Sequence, residues 1–475
     1  MTASTKKKRG MLSSFTILLL LLAIVALITV GVSAVAPDQV KAATLADFFM
    51  APVHGFTDAL PVCLFVMILG GFLGIVTETG ALDTGIAVLV KKLHGNELMI
   101  IPVLMILFSL GGTTYGMCEE TVPFYALLAA TMMAAGFDPL VGAATVLLGA
   151  GCGCLGSTVN PFAVGAAVDS LRGVGIECNQ SIIIGLGAVL WIVSTAIAIV
   201  FVMSYAKKVK ADKGSTLLSM QELQSAEEAH GAAAEAATKD VALTGRQKAV
   251  LGIFAFTFVV MIVSFIPWED FGVTIWLGWT EFITGLPLGQ WYFDEASTWF
   301  FIMAIVIGIV GGLGEKKIVN TFIAGAADMM SVVLIIALAR GISVLMAATG
   351  LDQYVLNAAA NALAGLSGIV FAPMSYLLYL VLSFLIPSSS GMATVSMPIM
   401  GPLASGLGFP PEVMVQIFGG ANGLVNLFTP TSGAIMGGLA LARVEWTTWL
   451  KFAMKVIVVI GIVSVVILTA AMMIL

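Results

Sequence analysis

Two stretches of this chain resemble each other, and each places glycine, proline and polar residues inside otherwise apolar sequence. The first opens with Gly-Gly-Thr-Thr-Tyr-Gly-Met-Cys-Glu-Glu-Thr-Val-Pro at 111–123, the second with Pro-Ser-Ser-Ser-Gly-Met-Ala-Thr-Val-Ser-Met-Pro at 387–398. Each continues through a Gly-Phe pair and a glycine-rich run to a polar residue before proline, at 160–161 and 429–430. Interrupted apolar segments at matching places in two halves of a chain indicate a transporter's binding site.

The rest of the sequence is too apolar for a soluble protein. Hydrophobic residues make up 59% of the chain and charged residues 10%, and the mean hydropathy is +1.07. A soluble domain carries about 25% charged residues. Several apolar runs approach the roughly 20 residues that cross a bilayer as a helix. The three histidines and five cysteines lack the spacing of a zinc site, and we interpret Cys152 and Cys154 as small helix-packing residues.

We therefore predict an all-α polytopic membrane protein built from two inverted repeats, with re-entrant helical hairpins and interrupted helices. Residues 1–204 form the N-terminal membrane repeat, 205–248 a cytoplasmic linker and 249–475 the C-terminal membrane repeat. The hairpins are predicted at about 97–135 and 367–406, with tips near 111–122 and 387–397. Further spans are predicted at 14–36, 58–77, 140–170 (interrupted), 181–204, 249–267, 297–314, 331–349, 411–442 (interrupted) and 450–474.

The N-terminus allows two interpretations. A basic start at 6–9 precedes a long apolar run, and Ala34-Val35-Ala36 resembles a signal-peptidase site. The apolar run from Ile17 to Val35 is longer than that of a usual signal peptide, which favours an uncleaved first span.

The distribution of lysine and arginine predicts the orientation. If the N-terminus is cytoplasmic, 18 of the 21 Lys and Arg residues lie inside, Lys41 and Arg172 lie outside, and Arg340 lies within a span. This asymmetry follows the positive-inside rule. It also makes the two copies antiparallel, because 79–83 then ends an inward-running span and 349–352 an outward-running one. Inverted repeats with broken helices are typical of secondary transporters, and a chance resemblance between glycine-rich membrane segments is the alternative.

Two further segments stand out. The linker is rich in Ala, Glu, Gln, Ser and Lys, and we predict one short helix in it, at about 219–237. The segment 267–293, together with Trp299, holds five of the eight tryptophans. Because tryptophan is enriched at the membrane–water interface, we predict an interfacial helix there.

The breaks predict a binding cavity. Irregular backbone at membrane depth is tolerated only where protein covers it or where it lines a water-filled cavity. Hydroxyls and freed backbone groups there could bind a substrate or a cation, with helix N-termini favouring anionic groups. A single serine or threonine is more often a contact between helices, but clustering at four related breaks favours binding. The candidate substrate-binding residues are Thr113, Thr114, Glu119, Glu120, Ser157, Thr158, Asn160, Arg340, Ser388, Ser389, Ser390, Asn422, Asn426, Thr429 and Thr431. A coupling sodium ion is a candidate near Asn160, Ser390 and Asn426, and no catalytic residue or cofactor is predicted.

Glu119 and Glu120 give the sharpest indication of the substrate. Two adjacent carboxylates near a hairpin tip cannot both stay charged and unpaired at membrane depth, because such a charge costs several kcal/mol. They must meet a cation, share a proton or face water. Neighbours on a helix point about 100° apart, so one could face the cavity and the other the scaffold. A structural ion pair, for example with Arg340, is the alternative.

Arg340 lies in the apolar run Ile-Ile-Ala-Leu-Ala-Arg-Gly-Ile. An arginine in such a place needs a buried partner, and its planar fork matches a carboxylate. The partner could be a substrate carboxylate or one of the two glutamates, and the sequence does not choose between them.

The motifs at 111–121, 155–163 and 387–391 resemble those of the YfcC-type branch of the anaerobic C4-dicarboxylate carrier family, within the ion-transporter superfamily. The resemblance extends from about Val53 to the C-terminus and includes 314–317 and Arg340-Gly341. It implies an elevator-type homodimer with a scaffold and a transport domain. Some relatives are dicarboxylate carriers, and others are linked to arginine/ornithine exchange or basic amino acid antiport. The Ser-Asn-Thr signature of better-known dicarboxylate relatives is replaced here by Gly-Thr-Thr and Ser-Ser-Ser.

We therefore expect a secondary-active transporter of a small charged metabolite in the bacterial inner membrane. A basic amino acid, moved by arginine/ornithine-type antiport, is favoured, and a proton- or sodium-coupled C4-dicarboxylate carrier is the alternative. The expected partners are a small-molecule substrate, the lipid bilayer and a second copy of the chain, without nucleic acid. A channel is disfavoured because the hairpins imply a closed, alternating site. An enzyme is disfavoured because the sequence offers no nucleophile paired with a base. An ATP-driven pump is disfavoured because the sequence has no phosphate-binding loop.

Overall fold

A computed structural model describes residues 14–82, 84, 85, 88, 96–236, 242–386 and 388–475, and the regular secondary structure in these ranges is helical. Nine of the described helices are long and apolar enough to cross a membrane. The helices are α1 (Ser14–Ser33), α2 (Leu45–Asp58), α3 (Leu60–Glu78), α4 (Ile100–Tyr115), α5 (Val122–Ala134), α6 (Pro139–Leu155), α7 (Ala166–Arg172), α8 (Gln180–Ala211), α9 (Met220–Ala236), α10 (Gly245–Phe265), α11 (Phe293–Val310), α12 (Glu315–Asp328), α13 (Met330–Thr349), α14 (Leu351–Leu363), α15 (Gly368–Leu385), α16 (Ser389–Gly406), α17 (Pro411–Val425), α18 (Gly433–Leu441) and α19 (Trp446–Ile474).

Both predicted hairpins are confirmed. Helices α4 and α5 form hairpin 1, and α15 and α16 form hairpin 2. Gly116 ends α4 in the left-handed conformation, with φ of +80°, which glycine adopts without the penalty of a Cβ. Ser388 begins α16 by accepting a hydrogen bond from the Gly391 N–H, an N-cap that satisfies one of the free donors of the first turn. Pro387 lies outside the described residues.

The two predicted interrupted helices are also present. The first consists of α6, a break, a π-helical turn over Pro161–Gly165, and α7. The second consists of α17, a break and α18. At the first break, the Asn160 side-chain oxygen accepts the N–H groups of Phe162 and Ala163, so the chain restarts its helix on a side-chain cap. We call the two hairpins and two interrupted helices the hairpin domain.

Two pairs of helices, α2 with α3 and α12 with α13, cross each other and form the scaffold. Helices α2 and α3 are separated only by Ala59, and α12 and α13 only by Met329. The predicted spans 58–77 and 331–349 match α3 and α13, whereas α2 and α12 were not predicted. A side chain on Gly55 would strike the backbone at Gly341, and one on Gly325 would strike Gly71. The separation in sequence between Gly55 and Gly325 equals that between Gly71 and Gly341. Reciprocal contacts of this kind are what a two-fold axis produces.

The ends of the scaffold helices agree with the inverted arrangement. Lys317 Nζ lies 2.6 Å from Glu78 Oε1 at one end of the crossing, and at the other the Lys41 N–H donates to the Thr349 carbonyl at 2.9 Å. The end of α3 therefore meets the start of α12, whereas the end of α13 meets the segment before α2. Asp83, in the first of the two matching turns, lies outside the described residues.

The first predicted span is an apolar helix that packs on the scaffold. Leu18, Leu22 and Val25 of α1 are buried, and α1 contacts α13. Its apolar residues therefore contribute to packing, and whether this span is retained stays a prediction.

The linker helix is confirmed as α9, and it is docked against the hairpin domain. His230 bonds to the Leu441 carbonyl at the end of α18, and the buried Glu222 accepts the Glu445 N–H before α19. Before it, α8 continues to Ala211, into the segment predicted as linker.

The interfacial helix predicted over 267–293 is wrong. Beyond the short turn Trp268–Phe271, this segment consists of turns and bends. Four glycines in it have φ between +72° and +105°, namely Gly272, Gly278, Gly285 and Gly289. Left-handed residues at such short intervals prevent a continuous helix.

Candidate functional site

One cavity lies where the hairpin tips, the breaks of the interrupted helices and the scaffold meet, and its volume is about 160 Å³. The tip of hairpin 1 contributes 116–121, and the scaffold contributes Ala59, Val62 and Arg340. A single water molecule needs about 10–15 Å³ of cavity volume. The cavity is therefore large enough for about a dozen waters, or for a solute of roughly a dozen non-hydrogen atoms. Arg340 lies about halfway along α13, on the order of 15 Å from either end, which places the cavity near the middle of the span.

Most of the predicted binding residues line this cavity. They are Glu119, Glu120, Asn160, Arg340, Ser388, Ser389, Ser390, Asn422, Asn426 and Thr431. They come from all four breaks and from the scaffold, so the fold brings together residues that are far apart in sequence.

The remaining predicted residues do not line the cavity, and their hydroxyls bond to groups of the protein. Thr113 donates to the Gly156 carbonyl at 2.6 Å, and Thr158 donates to the Thr113 carbonyl at 3.0 Å. These bonds tie hairpin 1 to the first break. Thr114 and Ser157 bond to carbonyls of their own helices, as helical hydroxyls commonly do. Thr429 bonds to Thr431, whose hydroxyl reaches the Phe384 carbonyl at 2.8 Å and ties hairpin 2 to the second break.

The two glutamates lie differently at the tip of hairpin 1. Glu120 is 2% exposed, and its Oε2 accepts the Cys118 N–H at 3.0 Å. Glu119 is half-buried, and within the described ranges neither carboxylate has a cationic side chain in ion-pair contact. Glu120 therefore shapes the tip, while Glu119 is the freer of the two carboxylates.

Hairpin 2 presents hydroxyls where hairpin 1 presents carboxylates. Ser388, Ser389 and Ser390 are half-buried and line the cavity. The Ser388 hydroxyl caps α16, whereas those of Ser389 and Ser390 make no hydrogen bond with another described residue. Together with the N-terminus of α16, these groups favour an anionic or hydrogen-bonding part of a ligand.

Arg340 is paired with Asp58, a partner that the sequence analysis did not name beside the two that it left open, a substrate carboxylate and the glutamates. Its Nε lies 3.0 Å from Asp58 Oδ2, at the end of α2. Asp58 was missed because it lies at the very start of the predicted span 58–77, and its acidic character at that edge was the available signal.

Gln416 is a second residue that the sequence did not indicate. It is fully buried in α17, and its Nε2 donates to the carbonyls of Ser157 and Ile183 at 2.9 Å each. It thereby anchors the first break to the second repeat. A lone glutamine in an apolar helix was the available signal.

Of the three residues proposed to bind a sodium ion, one already uses its side-chain oxygen in hydrogen bonds that hold the break. Asn160, Ser390 and Asn426 all line the cavity, but Asn160 Oδ1 already accepts two backbone N–H groups. Among the described residues there is no cluster of three or more acidic, histidine or cysteine side chains that could hold a metal. Coupling to Na⁺ or H⁺ stays a prediction.

Two inverted repeats that enclose a central cavity between interrupted helices define a secondary-active membrane transporter. The chain matches the family described as C4-dicarboxylate anaerobic carrier over residues 3–473, and it belongs to that family. It is 31% identical over 437 residues to a protein of Escherichia coli (strain K12) named "Putative basic amino acid antiporter YfcC", covering 86% of this chain and 80% of that one. An uncharacterized protein of Haemophilus influenzae is 31% identical over 411 residues, covering 86% of this chain and 75% of that one.

Two solved structures also align with the chain. The YdaH transporter of Alcanivorax borkumensis aligns with a TM-score of 0.48 and 16% identity, over 95% of this chain and 97% of its own. MtrF of Neisseria gonorrhoeae, from a class of antimetabolite efflux pumps, aligns with a TM-score of 0.46 and 18% identity, over 98% and 96%.

Proposed function

We propose that this transporter exchanges basic amino acids, with arginine and ornithine as the first substrates to test. The observation that carries the proposal is the charge of the cavity. Glu119 and Glu120 line it, and Arg340, the one basic residue among its described lining, already has an acidic partner in Asp58. Two carboxyl groups that make no ion pair with the described cationic side chains are therefore left for a ligand to meet, and a bound cation would allow them to stay charged. A cation about 4 Å from one carboxylate gains on the order of 4 kcal/mol at an effective dielectric near 20.

The rest of the cavity suits the amino acid end of such a ligand. The guanidinium of Arg340, the hydroxyls of Ser389 and Ser390, and the N-terminus of α16 all favour a carboxylate. The cationic side chain of such a solute would thus meet the glutamates of hairpin 1. Its α-carboxylate would meet Arg340 and the serines of hairpin 2. The name of the Escherichia coli relative agrees with this assignment.

Uptake by proteoliposomes tests the proposal. Vesicles loaded with unlabelled ornithine should accumulate labelled arginine, and empty vesicles should not. Binding of arginine and ornithine to the purified protein, measured by calorimetric titration, should accompany this exchange. Binding of succinate without either amino acid would contradict the proposal.

A C4-dicarboxylate carrier is the second candidate, favoured by the family to which the chain belongs. In that case Arg340 and the serines would bind the substrate, and the glutamates would bind protons or stabilise the tip. Succinate uptake driven by a proton or sodium gradient would support this alternative.

We further propose a dimeric protein in the bacterial cytoplasmic membrane, with its N-terminus in the cytoplasm. In a background without the native cysteines, Lys316→Cys should then be labelled by a membrane-impermeant reagent only from the cytoplasm. Asp38→Cys, near the opposite end of the scaffold crossing, should be labelled only from outside. Labelling of both from the same side would contradict the inverted orientation.

A further inference from the structure

Asp58 is held beside Arg340 by the closest part of the scaffold crossing. Helix α2 ends at Asp58, shortly after Gly55, and α13 carries Arg340 next to Gly341. A side chain at Gly55 would strike the backbone of Ala337 and Gly341, so the two helices touch there through their backbones. The ion pair between Asp58 Oδ2 and Arg340 Nε, at 3.0 Å, follows directly from this close approach.

The ion pair uses only one edge of the guanidinium. Asp58 contacts it through Nε, and the two Nη groups make no other ion pair or hydrogen bond with the described residues. Arg340 lines the cavity whereas Asp58 does not. The Asp58 side chain, which is 51% exposed, thus contacts the arginine from outside the cavity lining, and the free edge of the fork remains available to a planar carboxylate.

Asp58 also controls a competing interaction. Glu119 lines the same cavity as Arg340 and makes no ion-pair contact with a cationic side chain among the described residues. An arginine without Asp58 would be free to turn toward Glu119, since an unpaired charge at this depth is costly. That pairing would remove both the cation that recognises a carboxylate and the carboxylate that recognises a cation.

We propose that Asp58 is a positioning residue for substrate recognition. It fixes the Arg340 guanidinium so that its Nη groups bind the substrate carboxylate, and it keeps Arg340 from neutralising Glu119. The inference rests on the proposed function for its choice of ligand, a molecule with both a carboxylate and a cationic side chain. Its central claim, that Arg340 binds a carboxylate because Asp58 orients it, applies equally to a dicarboxylate.

The test compares arginine with agmatine, the amine that arginine becomes when its carboxylate is removed. Calorimetric titration of the purified parent protein should give tighter binding of arginine than of agmatine. Asp58→Asn should weaken arginine binding by about tenfold or more, as expected for a lost charge-assisted contact, and should change agmatine binding much less. Arg340→Gln should have the same selective effect, and the double variant should lose no more than Arg340→Gln alone.

Asp328 provides a matched control. It ends α12 in the second repeat as Asp58 ends α2 in the first, and it is exposed. Asp328→Asn should leave both affinities unchanged. Equal losses for arginine and agmatine in Asp58→Asn, or no loss for either, would overturn the inference and assign the ion pair to stability alone.

A parent protein that binds succinate and neither arginine nor agmatine would refute the proposed function instead. Asp58→Asn should then weaken succinate binding by a similar factor, and unchanged succinate binding would overturn the inference as well. The two failures are therefore distinguishable.

Discussion

Gly423 packs directly against the backbone of Leu155, where α17 of the second repeat crosses α6 of the first. The reciprocal contact, between Gly151 and Leu427, joins the same two interrupted helices with the repeats exchanged. Gly151 and Gly423 are as far apart in sequence as Leu155 and Leu427. The pseudo-two-fold axis of the molecule therefore passes between the interrupted helices, beside the cavity that they line.

The two glycines should differ in their tolerance of a methyl group. A Cβ on Gly423 would meet the Leu155 backbone, whereas one on Gly151 would meet the end of the flexible Leu427 side chain. We expect Gly423→Ala to destabilise the protein by about 1–3 kcal/mol, the usual range for overpacking, and Gly151→Ala by less. Thermal unfolding in detergent, followed by intrinsic fluorescence, measures both.

Gly252 of α10 is the matched control for these variants. It is exposed, and a Cβ there would have no atom within 4 Å. Gly252→Ala should be neutral or raise stability by up to about 1 kcal/mol, because alanine is the better helix former. Equal melting temperatures for the Gly423 and Gly252 variants would contradict the close crossing.

The hydroxyls at the two hairpins should respond differently to substitution. Ser389 lines the cavity with a hydroxyl that has no partner among the described residues, whereas Thr114 does not line the cavity and bonds to the Leu110 carbonyl of its own helix. Ser389→Leu should abolish transport while folded protein remains in the membrane, and Thr114→Val should transport nearly as well as the parent. Size-exclusion chromatography of both variants checks folding. Normal transport by Ser389→Leu would indicate that the break at hairpin 2 is a packing feature.

Docking of the linker helix should depend on pH through His230. Burial lowers the pKa of His230 below its ordinary value of 6.5; the hydrogen bond to Leu441 opposes this shift, and the nearby Arg443 adds to it. A group whose pKa is lowered by docking stabilises the docked state at pH values above its ordinary pKa. This stabilisation is lost as the pH falls through the lowered pKa. Glu445 titrates in the opposite sense, because burial and the neighbouring Glu222 raise its pKa.

Hydrogen–deuterium exchange of α9 at pH 7.5 and 5.5, corrected for intrinsic rates, measures this docking. Exchange in the parent protein should rise at the lower pH, since charging His230 beside Arg443 favours release. His230→Gln keeps a donor for the Leu441 carbonyl but cannot titrate, so its exchange should change little between the two conditions. A parental profile that does not change with pH would refute the prediction.

The sequence predicted the parts of this fold that follow from local chemistry. Glycine, proline and polar residues inside apolar runs located both hairpins and both interrupted helices. It did not predict contacts between the repeats, because periodicity carries no information about them. Asp58 and Arg340 belong to different repeats, and only the glycine-mediated crossing of α2 and α13 brings them together.

The same limit explains why some of the predicted binding residues do not line the cavity. Thr113 and Ser388 occupy matching positions when Gly116 is aligned with Gly391, and both are hydroxyl residues close to glycine. Whether each faces the cavity or a neighbouring helix depends on the helix rotation, which the break itself resets. Their composition predicts a polar cluster, but packing alone determines which member faces the cavity.

Substitution of the two glutamates of hairpin 1 should distinguish a role in substrate binding from a structural or proton-binding role. Glu119 is half-buried without a described cationic partner, whereas Glu120 is buried and accepts the Cys118 N–H. Glu119→Gln should weaken arginine binding by about tenfold or more, because the Coulomb attraction of about 4 kcal/mol at 4 Å is only partly offset by desolvation of both charges. Glu120→Gln keeps an acceptor for the Cys118 N–H, so its effect on binding should be smaller.

Calorimetric titration of each variant with arginine, ornithine and succinate distinguishes the roles. Glu177→Gln is the control, because this exposed carboxylate lies outside the cavity, 3.9 Å from Arg172. A proton-binding glutamate would give another result: its glutamine variant would keep arginine affinity and lose the pH dependence of transport. If Glu119→Gln and Glu120→Gln both bind arginine as the parent does, the carboxylates do not contact the cation. The charge of the cavity would then cease to support a basic amino acid as substrate.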